Sequence, residues 1–108
     1  MTKSITVVGA GSWGTALAQV LCDNGHDVKL YDLNQEIIDD INRNHHNSRF
    51  FKELMLPDNL KGTTNLSEAL KEAEMILLSV PTKVIRAVLK EINEVLDHPV
   101  VIINASKG

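Results

Sequence analysis

Residues 4–18 read Ser4-Ile5-Thr6-Val7-Val8-Gly9-Ala10-Gly11-Ser12-Trp13-Gly14-Thr15-Ala16-Leu17-Ala18, and a change of period inside this stretch decides the fold. Ile5 to Val8 is a short, nearly continuous apolar run, which suits a strand buried on both faces of a parallel sheet. From Trp13 onward the apolar residues recur at three and four (Trp13, Ala16, Leu17, Val20, Leu21), the spacing of one helical stripe. Between the two lies Gly9-Ala10-Gly11-Ser12-Trp13-Gly14, a G-x-G-x-x-G turn. Glycine spacing alone is weak evidence. After a buried strand and at the mouth of a helix it gains a mechanism. Gly9 permits the tight turn, Gly11 lets the backbone approach a pyrophosphate, and Gly14 packs the helix close to the sheet. N–H groups and the helix dipole at Ser12 and Trp13 favour an anion. A tight turn without a ligand would use the same glycines.

Outward from this turn the same alternation repeats. Met75 to Leu78 and Val100 to Ile103 are further continuous apolar runs, read as buried strands. Val28-Lys29-Leu30-Tyr31 alternates more and belongs nearer an edge, and Gly62-Thr63-Thr64 suits the outermost strand. Asn24-Gly25 supplies the left-handed residue that ends the first helix. Ile37, Ile38 and Ile41 mark a second helix with Asn34 as its N-cap. Leu66, Ala69, Leu70 and Ala73 mark a third. Val84, Ile85, Val88, Leu89, Ile92 and Leu96 mark a fourth, expected to be the longest, with Pro81 just before it. His45 to Lys61 has no clean period and reads as a surface loop. The order β-α-β-α-β-α-β-α-β with right-handed crossovers predicts a Rossmann-type doubly wound parallel sheet of strand order 3-2-1-4-5.

The 108 residues make a single domain over 1–108. Because the last strand runs almost into Gly108, the chain is expected to be the truncated N-terminal part of a longer protein. The formal net charge is −3, which argues against nucleic acid or an acidic membrane as partner. No apolar run approaches the ~20 residues of a membrane span. The one cysteine, Cys22, rules out an internal disulfide and fits a reducing, cytoplasmic compartment. It reads as a small packed residue on the first helix. His45-His46 are neighbours and share no face, so no metal site is expected.

Three further places bear on a ligand. Asp32 lies just after the second strand, 18 residues beyond Gly14, where an acid accepts hydrogen bonds from ribose hydroxyls and repels a 2′-phosphate. That favours NAD over NADP. The other reading of Asp32 is a turn residue before the second helix. Ser79-Val80-Pro81-Thr82 sits at the carboxyl end of the fourth strand, the edge where such sheets bind ligands, and it also suits a helix start. Lys107 follows the fifth strand at the same edge, where a lysine either meets a phosphate or carbonyl oxygen or is solvated surface. Trp13 either packs on the core or lines the cleft.

The glycine turn, read on through Thr15-Ala16-Leu17-Ala18, closely resembles that of bacterial-type NAD(P)-dependent glycerol-3-phosphate dehydrogenase. The likeness continues through Asn24-Gly25-His26, Leu56-Pro57, Ser79-Val80-Pro81-Thr82 and Asn104-Ala105-Ser106-Lys107-Gly108. It implies reversible reduction of dihydroxyacetone phosphate to sn-glycerol 3-phosphate, feeding phospholipid synthesis. It also implies that Ser12 and Trp13 contact the nicotinamide dinucleotide, and that Lys107 contacts both cofactor and substrate. Leu33 and Asn34 stand where relatives that favour NADP carry His or Arg, which with Asp32 points away from NADP. The family's general-base lysine and substrate-phosphate residues belong to a C-terminal helical domain that this chain lacks. No catalytic residue is therefore expected in it, and the chain alone should not turn over. Oligomeric state is open, a homo-oligomer included. Two other readings keep the fold: a 6-phosphogluconate- or 3-hydroxyacid-type dehydrogenase domain, and a non-catalytic nucleotide sensor.

Overall fold

The computed structural model describes residues 2–51 and 54–106. Five strands, β1 (Ser4–Val8), β2 (Asp27–Tyr31), β3 (Lys61–Thr63), β4 (Met75–Leu78) and β5 (Val101–Asn104), alternate with helices α1 (Ser12–Asp23), α2 (Gln35–Asn44), α3 (Leu66–Leu70) and α4 (Ile85–Val95). The strands form one sheet in the order β3-β2-β1-β4-β5, as expected, and every pairing is parallel. All strand carboxyl ends therefore face one edge. Among the described residues no helix is long and apolar enough to cross a membrane.

Alternation along the strands sends side chains to two apolar layers. Ile5, Val7, Val28, Leu30 and Leu77 pack with Ala18 and Cys22 of α1 and Ile37 and Ile41 of α2. Val8, Tyr31, Ile76 and Leu78 pack on the other side with Ala69 and Leu70 of α3 and Ile92 of α4. Thr6 falls on this second face, and its hydroxyl is satisfied by the Ala69 carbonyl. Asn34 and Asn65 cap α2 and α3 through their side chains. Gly25, at φ +88°, ends α1 as the sequence suggests.

Several expectations fail for physical reasons. On α1 the buried face is Gly14, Thr15, Ala18 and Cys22, while Trp13 and Val20 are 40% and 55% exposed. Close approach of a helix to a sheet selects small residues at four-residue spacing, so the bulky stripe lies along the flank rather than beneath. β5 is exposed at all four positions, although its apolar run predicts burial on both faces. It is an edge strand with β4 as its neighbour, and no described helix covers it. α4 is one residue shorter than α1 (11 against 12), because a 3₁₀ turn over Thr82–Val84 takes up its start. The stretch from His45 to Lys61 is not purely surface: Asn47, Leu56 and Leu60 are buried.

Candidate functional site

The glycine turn lies at the carboxyl edge, between the ends of β1, β2 and β4. Gly9 donates to the Tyr31 carbonyl at 2.8 Å and sits at φ +111°, where a Cβ would collide with the Ser79 carbonyl. A Cβ on Gly14 would collide with the Gly9 carbonyl oxygen. These two glycines are demanded by the fold itself.

Gly11 differs from both. Its φ of −74° is open to any residue, and a Cβ built there meets nothing within 4 Å. No described residue requires a glycine at this position, and the space beside it is open. Gly11 is also the N-cap of α1, with no side-chain cap and no acidic residue in the first turn. Two other helices of this chain begin with side-chain caps, the Ile37 N–H donating to Asn34 Oδ1 and the Glu68 N–H to Asn65 Oδ1. The positive end of α1 thus has no side-chain cap and no acidic residue in its first turn to offset it.

Asp32 takes the turn position that its sequence allows, and it also reaches back to the glycine turn. Oδ1 accepts from the Asn34 N–H at 2.9 Å, forming the turn before α2, and Oδ2 accepts from the Ala10 N–H at 2.8 Å. A carboxylate has about four lone-pair sites, so capacity remains for further donors. Asp32 borders a groove of about 300 Å³ with Gly9, Tyr31, Leu33, Val80 and Val88 among its walls. Burial, aided by the nearby charges of Glu91 and Asp32, raises the Tyr31 phenol above its usual range.

A second groove, of about 380 Å³, runs past Gly11, Ser12, Trp13 and Gly14 to Ser79, Val80 and Pro81. Val80 lines both grooves. The alternatives for Trp13 resolve: it lines this groove, and its Nε1 donates to the Ala105 carbonyl at 2.6 Å. Ser106 Oγ donates to the Leu78 carbonyl and accepts from the Val80 N–H, both at 3.2 Å. The segment after β5 is thereby fastened to the end of β4. Lys107 follows directly, but lies outside the described residues.

Two contributors were missed in the sequence. Phe50, 44% exposed, forms a wall of the second groove. Asn47 is 1% exposed and donates through Nδ2 to the Ala10 carbonyl at 3.0 Å and to Thr15 Oγ1 at 2.9 Å. The one signal for Phe50 was its rarity, as one of two Phe in a chain poor in aromatics. Asn47, in a stretch without a period, offered none.

A parallel sheet of order 3-2-1-4-5, with a glycine turn and an uncapped helix at its carboxyl edge, defines a Rossmann-type nucleotide-binding fold. Comparison with known proteins narrows the class. Residues 4–108 match the family model described as NAD-dependent glycerol-3-phosphate dehydrogenase N-terminus, and the chain belongs to that family. It is 55% identical over 106 residues to a glycerol-3-phosphate dehydrogenase [NAD(P)+] of Streptococcus uberis, covering 98% of this chain and 31% of that protein. A counterpart from Exiguobacterium is 50% identical over 105 residues, covering 97% and 31%. Among solved structures, glycerol-3-phosphate dehydrogenase of Coxiella burnetii superposes with a TM-score of 0.91 at 31% identity, over 99% of this chain and 33% of that one. The yeast Saccharomyces cerevisiae enzyme gives 0.89 at 25% identity, over 100% and 34%. The chain spans about a third of the length of these relatives.

Proposed function

We propose that residues 1–108 are the cofactor-binding domain of a glycerol-3-phosphate dehydrogenase, which interconverts dihydroxyacetone phosphate and sn-glycerol 3-phosphate with NAD(P)H. The observation that carries this reading is Gly11, a glycine without an internal reason at an uncapped helix N-terminus. Room for a backbone-bound pyrophosphate gives it one.

On this reading the N–H groups of Ser12 and Trp13 hold the pyrophosphate by hydrogen bonding and the helix dipole. Gly9 and Gly14 keep the turn tight. Asp32 accepts from the adenosine ribose hydroxyls with its spare lone pairs, and its charge repels a 2′-phosphate. Leu33 and Asn34 supply no cation for that phosphate, so NAD is favoured over NADP. Pro81 flanks the nicotinamide half, and Trp13 shares that groove. When bound, the nicotinamide supplies the hydride exchanged with the substrate's C2. Lys107, one residue beyond the fastened Ser106, meets cofactor and substrate as a point charge. The general base and the residues for the substrate phosphate lie in the part of the enzyme beyond this domain. The domain alone therefore binds cofactor without turnover. The setting is cytoplasmic supply of a glycerophospholipid precursor, and a homo-oligomer is compatible with it.

Calorimetric titration with NADH and, separately, NADPH tests the assignment. Tighter NADH binding is expected. Tighter NADPH binding would overturn the role of Asp32, and binding of neither at millimolar concentration would overturn the domain's independent cofactor site.

A further inference from the structure

The feature that gives a ligand room at Gly11 also creates a problem. The Ala10–Gly11 peptide adjoins a residue without a Cβ, so its plane is easily rotated. Its orientation matters, because in a trans peptide the carbonyl and the following N–H point in opposite directions, and the described chain has no cis bonds. If the Ala10 carbonyl faces inward, the Gly11 N–H faces outward toward the groove. If the plane flips, that donor is lost to an anion and a carbonyl oxygen takes its place.

Something must hold the carbonyl inward. Asn47 Nδ2 donates to it at 3.0 Å, and Thr15 Oγ1 donates to it at 3.3 Å while itself accepting from Asn47 at 2.9 Å. Both side chains are buried, at 1% and 0% exposure. On the other side of Ala10, the N–H is held by Asp32. Asn47 is fixed in turn. Its backbone carbonyl accepts from the N–H groups of Phe50 at 3.1 Å and Phe51 at 2.8 Å, and the adjoining Ser48 N–H donates to Asp40 Oδ2 at 2.8 Å. The lock thus comes from a residue 37 positions away, on the loop that also brings Phe50 to the groove.

We propose that Asn47 is a positioning residue for the cofactor site, which sets the Ala10–Gly11 peptide so that the Gly11 N–H faces the pyrophosphate. This rests on the reading of the turn as the pyrophosphate site. Asn47 touches no ligand. A merely structural Asn47 would affect folding and leave the affinity of the folded protein alone.

The test compares NADH affinity in the full-length enzyme, well below each variant's melting temperature. Asn47→Asp replaces the donor by an oxygen facing the Ala10 carbonyl. Leu56→Ala loosens the same loop, whose Leu56 packs on the α1–α2 layer, without touching the turn. Asn47→Asp is expected to weaken NADH about tenfold, the scale of one net hydrogen bond, and Leu56→Ala to lower the melting temperature with affinity within about twofold. If Asn47→Asp does not fold, Thr15→Val, which removes the shared hydroxyl, is held to the same tenfold. The proposal is overturned if the folded Asn47→Asp (or Thr15→Val) protein binds NADH within about twofold of wild type. It is equally overturned if Leu56→Ala weakens binding as much. Failure of the wild-type enzyme to bind NADH would instead remove the underlying reading of the turn.

Discussion

Asp32 Oδ2 accepts the Ala10 N–H at 2.8 Å, so the residue just after the second strand is fastened to the turn that follows the first. With the second bond, from Asn34 N–H to Oδ1, Asp32 holds two backbone donors before any ligand arrives. An acid at this place is therefore part of the scaffold as well as a candidate ribose acceptor. Asp32→Ala should lower stability by about 2 kcal/mol, since two backbone N–H groups lose a charged acceptor. It should also narrow the NADH-over-NADPH preference. Thermal melts and paired titrations read the two effects separately. Unchanged cofactor preference would leave Asp32 with its structural role alone.

Gly9 and Gly14 are predicted to be intolerant of even one methyl group. At Gly9 an alanine would combine a φ of +111° with a clash against the Ser79 carbonyl, and at Gly14 it would clash with the Gly9 carbonyl. Backbone atoms cannot step aside as a flexible side chain can. Each alanine variant should lose at least about 2 kcal/mol in urea denaturation. A loss under about 0.5 kcal/mol at either site would mean that the turn relaxes more readily than its geometry implies.

Trp13 is the one tryptophan of the sequence and lines the groove beside the turn. Its emission therefore reports on that groove without interference from another indole in this chain. NADH should quench it, with energy transfer to the reduced nicotinamide. Trp13→Phe should remove the signal and the bond to the Ala105 carbonyl, weakening binding about three- to tenfold through the segment that precedes Lys107. An emission spectrum indifferent to bound NADH would place the nicotinamide elsewhere.

Cys22 is buried on α1. Burial, with Asp23 and Asp27 adding negative charge, pushes its thiol up from 9.0 to about 11. The folded state thus holds its proton more tightly than the unfolded state. The stability this contributes is complete below pH 9, and is lost as the pH rises from 9 towards 11. At pH 8 the thiol should react with a disulfide reagent far more slowly than in the urea-unfolded chain. Equal rates would contradict its packed position. Cys22→Ala should flatten part of the alkaline decline in stability.

The sequence was legible where local pattern and tertiary need coincide. Ile5 to Val8, Met75 to Leu78, the cap at Asn34 and the stop at Gly25 each follow from rules acting within a few residues. The carboxyl edge that carries the candidate site was legible for the same reason, because parallel strands place the residues after each run side by side. Other features depend on what packs against an element. The apolar run of β5 reads like that of β4, yet one is an exposed edge and the other central. On α1, apolar size pointed to Val20, while close packing on the sheet selected Gly14, Ala18 and Cys22. Asn47 reaches back 37 residues to bond Ala10, and no period announces such a contact.

The most direct test of the central claim is NADH affinity and thermal stability measured together for Gly11→Val. The backbone at Gly11 accepts a side chain and an added Cβ meets no described atom within 4 Å, so the stability cost should stay under about 1 kcal/mol, the usual range for exchanges at an N-cap. NADH binding should weaken by more than about tenfold, because the new side chain occupies the path of the pyrophosphate. A folded Gly11→Val protein that binds NADH like wild type would contradict the assignment of this turn as the cofactor site.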